Sequence, residues 1–463
     1  MASAADEFGA GMRPRDGDLM GHPRGLLYLV GVEGFWAFAF FGLQGLLTLY
    51  MTRHLLLPGH AEHIIGFSLY ERLLQGGGPP LKAVEIASQT FGLFSSLSYA
   101  LPLMGAVIAD RWLGTRRTMM LGLAVMVMAM AVVVTEPGFL IGVALIILGN
   151  GLVKCNLMVS IGRLYATDDP RRTSAFAIYL IFANIGAFSW PLIAGTLSEK
   201  VNFPVGISAL AIGMALALGT YLLGRPHLPA DAPPAAKAAA GEPGASAGGH
   251  MRIALILVAA LVPEVLYFGA YQQSFNVFPV WAADHVQRSV FGFEFPVTWF
   301  STLDGLLTIA GAMVTIRLWD AQIKRGRPMG DMTRLAIGCG LGVIGFGILA
   351  VASLAAQAPA LAAVAYFAFV DPAITWVDTV TLALVSRTAP ASINSTMVAV
   401  YGLSMAASYY MTGQLGRLYA HLTPSGFWSV HVGVMAAGVV FLVVAGPFIA
   451  RALAGHNARV AAA

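Results

Sequence analysis

Apolar residues run along this chain in blocks of about 20, the length of helix that crosses the hydrocarbon core of a bilayer, with only short polar stretches between them. Neither strand alternation nor a one-sided helical stripe dominates. Twelve spans are predicted: 26–51, 88–109, 118–135, 139–163, 174–197, 205–223, 253–282, 297–317, 334–355, 360–386, 395–414 and 428–450. The fold class expected is all-α integral membrane.

Composition agrees, since 57% of the 463 residues are hydrophobic and 11% charged, where soluble domains carry roughly 25% charged residues. Cytoplasmic loops hold an excess of Lys and Arg. With the N-terminus inside, twenty fall in inside segments, six fall outside (Arg53, Arg72, Lys82, Lys200, Arg288 and Arg417), and Lys154 alone lies within a span. A multi-pass protein of the inner (plasma) membrane with cytoplasmic termini is expected. The net charge of +4 then reflects orientation; no basic patch with interleaved aromatics suggests nucleic acid. The first 20 residues lack the order of a signal peptide and read as a tail. Cys155 and Cys339 imply no disulfide framework.

The stretch "RPHLPADAPPAAKAAAGEPGASAGGH" is rich in Pro, Ala and Gly and reads as a flexible linker. It divides the chain into a cytoplasmic tail 1–24, a six-helix bundle 25–223, a cytoplasmic linker 224–251, a second bundle 252–451 and a tail 452–463. "ADRWLGTRRTMMLG" after span two has a counterpart, "LWDAQIKRGRPMG", after span eight, each an Asp followed by cations. Two parallel six-helix halves are the plan of the major facilitator fold, with substrate between them near the midplane. No phosphate loop, CxxC pair or nucleophile elbow occurs, so neither an enzyme nor a cofactor is expected. The outside loop "HLLLPGHAEH" brings His54, His60, Glu62 and His63 close together; it reads as an exposed polar loop, and no metal site is assigned.

The chemistry lies in six charges inside spans: Glu33, Lys154, Glu264, Asp304, Asp371 and Asp378. Each costs about 2.5–3.5 kcal/mol at a helix centre, so the set costs on the order of 15–20 kcal/mol. From the 1.5 Å rise per residue, Glu33 lies roughly 12 Å and Lys154 roughly 13 Å into the membrane, which predicts an ion pair. Four carboxylates then lack a cation and need a proton, a cationic substrate group or a metal ion. Reversible protonation is the least demanding answer. Asp378, about 12 Å from the inner surface, either takes part or only supports an inner gate.

Several segments resemble one family, the proton-dependent oligopeptide transporters (POT, or PTR). "GAVIADRWLGTRRTMMLG" is similar to the family's signature after span two. "GNGLVKCN" is similar to its span-four Gly-x-Gly-x-x-Lys-Pro-Asn, keeping Gly149, Gly151, Lys154 and Asn156, with Cys155 for the proline. "DDPRRTSAFAIYLIFANIGAFSWPLI", including Asn184 and Gly186, resembles span five; "FPVTWFSTLDGL" resembles span eight with Asp304 at a usual Asn; "LVSRTAPASINSTMVAVYGLS" has Tyr401 at a usual Trp. The departures fall on functional positions. Against Glu-x-x-Glu-Arg-Phe-x-Tyr-Tyr-Gly in span one, "EGFWAFAFFG" keeps Glu33, Phe38 and Gly42 but puts Trp36 for the second Glu, Ala37 for Arg, and Phe40 and Phe41 for the tyrosines. Only Lys154 is left of the two cations that the resemblance assigns to a peptide carboxylate, and an ammonium cannot replace an arginine fork. Tyr271 and Gln272 stand where span seven usually has a carboxylate and Gln; Glu264 lies two turns earlier. Ile374 stands at a usual Glu in span ten, between Asp371 and Asp378.

The resemblance implies a proton-coupled symporter importing small peptides or peptide-like, amine-bearing molecules by alternating access. Proton coupling falls to Glu33, Glu264 or Asp304. Substrate binding falls to Lys154, Asn156, Asn184, Gln272, Asp304, Asp371, Trp376 and Tyr401; gating falls to Asp110, Arg111, Arg116, Arg117 and Asp378. The partners expected are a small-molecule substrate, protons and the lipid bilayer. The rivals are a proton-antiport exporter and a non-transporting sensor built on a transporter fold.

Overall fold

Backbone polar groups in hydrocarbon must be satisfied within the segment that carries them, and this chain meets the demand with helices almost throughout. The computed structural model describes residues 21–166, 169–231, 247–389 and 394–462. In chain order the α-helices are α1 (Arg24–Tyr50), α2 (Phe67–Gln75), α3 (Ala83–Ala100), α4 (Pro102–Ile108), α5 (Thr115–Val133), α6 (Phe139–Gly162), α7 (Arg171–Trp190), α8 (Thr196–Lys200), α9 (Phe203–Gly224), α10 (Ala247–Ala260), α11 (Val262–Tyr271), α12 (Phe278–His285), α13 (Phe300–Lys324), α14 (Asp331–Ala352), α15 (Ala360–Ile374), α16 (Val380–Thr388), α17 (Asn394–Gly416) and α18 (Pro424–Ala462). Among the described residues, 11 helical stretches are long and apolar enough to cross a membrane. The predicted span 395–414 falls in α17, a helix of 23 residues that is not one of them. Its Ser395, Ser404, Ser408, Thr412 and Gln414 dilute its apolar character.

Four π-helical turns interrupt the spans, at Met51–Leu55, Ala109–Leu113, Pro191–Gly195 and Thr375–Thr379. Pro191 opens the third, and Pro372 lies three residues before the fourth. A proline frees a carbonyl of the preceding turn and loosens the helix there.

Contacts divide the chain into two units. The first holds α1 as far as Leu46, Leu57–Tyr70, and the stretch from Ala100 to the linker; the second holds Leu47–Leu56, Glu71–Tyr99 and the chain beyond the linker. In the first, α4 crosses α6 so closely that a Cβ on Gly105 would lie 1.9 Å from the Gly151 carbonyl oxygen. Small residues let helix backbones approach in this way. The second unit is built around buried aromatics, among them Tyr267, Phe278, Trp281, Phe346, Tyr366 and Trp428. The span that begins with α10 and α11 breaks there: Gln272–Ser274 form a 3₁₀ turn, and the helix resumes as α12. Two small ladders also lie in this unit, Val286–Gln287 parallel to Ala358–Pro359 and Ser289–Val290 antiparallel to Phe293–Glu294.

Candidate functional site

In the first unit the charged centre is built by α1, α6 and α7. Lys154 Nζ lies 2.7 Å from Glu33 Oε1 and donates to the Tyr179 hydroxyl at 3.0 Å. The ammonium also sits 3.9 Å from the centroid of the Trp36 ring, a cation–π contact. Glu33 is 1% exposed, whereas the Lys154 side chain keeps 30% of its surface. The second carboxylate oxygen of Glu33 has no hydrogen-bond partner. Lys154 is therefore neutralised on one side by a buried acid and open on another. Trp36 stacks on Phe40 at 4.8 Å, and Phe41 meets both edge-on. Ala37 is fully buried, and a Cβ on Gly186 of α7 would lie 2.9 Å from its methyl carbon. This close crossing of α1 and α7 suits alanine at the position where the resembled motif has arginine. Of the two predicted amides, Asn156 is buried and donates to the carbonyls of Gly105 and Leu152. Asn184 is exposed and donates to Leu180 O at 2.7 Å.

In the second unit the acids form two groups. The Tyr271 hydroxyl donates to Asp304 Oδ1. Asp371 neighbours Asp304, is 0% exposed, and has no hydrogen-bond partner on either oxygen. Around them Tyr267 donates to Val370 O and Ser274 bonds the Tyr366 hydroxyl. The 3₁₀ break sets a chain of buried amides beside this group. Gln272 reaches the Tyr409 hydroxyl at 3.0 Å, Gln273 reaches Thr412 O at 2.9 Å, and Asn276 bonds both Gln273 and Thr48. The second acid group is Glu264 with Asp378, whose Oδ1 accepts from the Tyr401 hydroxyl. Trp376 is buried edge-on against Trp319 at 5.3 Å, and the Arg334 guanidinium lies over that second ring.

The loop after α4 carries the residues to which gating was assigned. Asp110, Arg111 and Arg117 are exposed. Asp231 accepts from the Arg116 backbone N–H at 3.0 Å and from Arg163 at 3.2 Å. The Arg116 side chain donates to Arg225 O, and Tyr221 donates to Arg116 O at 2.8 Å. Asp231 sits in the Pro- and Ala-rich linker, where composition masks a single structural acid. Tyr179 escaped notice for a similar reason, since only the meeting of α6 with α7 gives its hydroxyl a cation. In the loop after α1, His60 Nδ1 lies 2.8 Å and His63 Nδ1 3.9 Å from the two oxygens of Glu136.

A sequence model described as the POT family matches residues 116–240 and 247–431. An uncharacterised transporter of Bacillus subtilis (strain 168), YclF, is 26% identical over 98% of this chain and 100% of its own length. A di-/tripeptide transporter of Lactococcus lactis subsp. cremoris is 25% identical over 93% of this chain and 96% of that one. Among solved structures, a peptide transporter POT in complex with sulfate superposes with a TM-score of 0.80 at 22% identity, covering 97% of this chain and 99% of that one.

Proposed function

This chain belongs to the POT family and is a multi-pass membrane transporter, not an enzyme, and from that premise we propose that it imports small peptides or peptide-like, amine-bearing molecules together with protons. The observation that carries the reading is the buried pair of Lys154 with Glu33 at 2.7 Å. A lysine held by one acid and still 30% exposed can exchange that acid for a substrate carboxylate once the acid takes a proton, so binding of the two is linked. In the second unit, Asp371 and Asp304 offer acids without a described basic partner, suited to a substrate amine or a second proton. The proposal includes two six-helix bundles, 25–223 and 252–451, a cytoplasmic linker 224–251, and both termini on the cytoplasmic side of the inner membrane. Ala37, Phe40 and Phe41 favour a substrate that presents one carboxylate and an apolar body over one that needs an arginine fork.

The test is uptake into liposomes containing a pH-sensitive dye, with di- and tripeptides set beside amine-bearing small molecules. Internal acidification driven by a peptide and abolished by Lys154→Ala is the expected result. Acidification with other compounds but no peptide would keep proton coupling and overturn the peptide assignment. Acidification with a peptide that persists in Lys154→Ala would remove Lys154 from the mechanism.

A further inference from the structure

Glu264, like Asp371, is an acid sealed inside the second unit. Its carboxyl is 0% exposed, and neither oxygen has a hydrogen-bond partner. The groups acting on it are Asp378, Thr381 and Tyr401. Thr381 is also 0% exposed. Asp378 is half-buried and accepts from Tyr401.

We propose that Glu264 and Asp378, with Tyr401 and Thr381, form a second proton-binding site, in which Glu264 holds the proton and Asp378 passes it to water at the linker-side end of the second unit. The inference rests on the proton-coupled reading above and assigns the step to residues of the second unit.

The charge argument comes first. An ionised Glu264 would be a buried charge with no cation beside it and only the hydroxyls of Thr381 and Tyr401 near it, a state that costs several kcal/mol. Three described arginines on elements packed nearby have other contacts. Arg387 pairs with Asp331, Arg334 covers Trp319, and Arg451 donates to Pro447 O. Among the described residues, no basic group acts on Glu264, Asp378 or Tyr401. Two neighbouring carboxyls in such a place share protons rather than both ionising. Asp378, with a donor on one oxygen and partial access to solvent, is the member built to ionise.

The ligand and the route follow from position. Calcium or magnesium needs six or more oxygens, whereas this cluster offers two carboxyls and two hydroxyls on packed helices. Glu264 lies 11 residues beyond Ile253 and Asp378 ten residues before Thr388, roughly 17 and 15 Å in from the linker-side end. The two acids are therefore level. Asp378 also sits on the π-helical turn Thr375–Thr379, a feature frequent at functional sites.

The test has a spectroscopic and a transport arm, both on the full chain in lipid. Infrared difference spectra across a pH titration, in water and deuterium oxide, read protonated carboxyl groups directly. Glu264→Gln and Asp378→Asn should each remove the same protonated-carboxyl component, and Tyr401→Phe should shift its titration midpoint. With dialanine as probe, accumulation driven by a one-unit pH gradient should fall about tenfold for each proton no longer coupled. A component that persists in both variants overturns the site, whatever transport does. A component lost on adding sodium at constant pH overturns the proton in favour of a metal cation. If wild type shows no pH-driven accumulation while both variants lose the component, the proton site stands and the symport reading fails.

Discussion

Removing Lys154 gives the sharpest stability test of the centre in the first unit. In Lys154→Met, Glu33 remains 1% exposed and loses the ammonium that neutralises it, while its other oxygen already has no partner. Removing one partner of a buried ion pair costs about 3–5 kcal/mol. The 30% exposure of the lysine side chain lets water reach one side, so the lower figure, about 3 kcal/mol, is expected. Glu33→Gln should cost less, because Lys154 keeps the Tyr179 hydroxyl and the Trp36 face, the latter worth about 1 kcal/mol. The double variant leaves no unpaired charge and should lie within about 1 kcal/mol of wild type, a coupling on the order of 2–3 kcal/mol. Thermal unfolding of the four proteins in detergent at neutral pH, followed by tryptophan fluorescence, measures the cycle. Additive losses, with the double variant as unstable as the sum of the singles, would refute the pairing.

Other expectations follow from particular contacts. Gly105→Ala puts a carbon where the Gly151 carbonyl oxygen stands; α4 and α6 must separate, at about 1–3 kcal/mol, seen as a lower midpoint of thermal unfolding. Asp231→Ala removes the acceptor for both Arg116 N–H and Arg163; a loss of about 1.5–3 kcal/mol is expected, and Arg163→Ala added to it should cost little more. The Arg171 guanidinium and backbone N–H hold the Asp169 carboxyl below its ordinary value of 3.8. A depressed carboxyl contributes stability that is present above its unfolded value and lost as pH falls through the folded one. The unfolding midpoints of wild type and Arg171→Gln should therefore differ above about pH 4 and converge below it.

The depth of charges was legible in the sequence because helical rise converts residue number into distance. That arithmetic set Glu33 level with Lys154, and the structure joins them at 2.7 Å. Depth alone does not say which helix faces share a side. The contact of Glu264 with Asp378 and that of Asp371 with Asp304 depend on how α11, α13 and α15 are turned about their axes. Apolar periodicity carries little of that information in a chain whose helices are apolar all round.

The sequence by itself determined that the chain crosses a membrane many times, where most spans lie, which acids and which single lysine enter the hydrocarbon, and the family it resembles. The spans and the buried charges follow from local free energies, the transfer of apolar side chains into lipid and the cost of a charge there, which need no knowledge of neighbours; the family rests on the motifs that the chain resembles. Only the tertiary structure decided that Tyr179 and Trp36 complete the shell of Lys154, that Asp231 accepts from Arg116 and Arg163, and that Gln273 bonds Asn276 while Gln272 turns to Tyr409. Those partners lie far apart in sequence, and hydrogen bonds and cation–π contacts act only within a few ångströms, so nothing short of the folded chain brings them together.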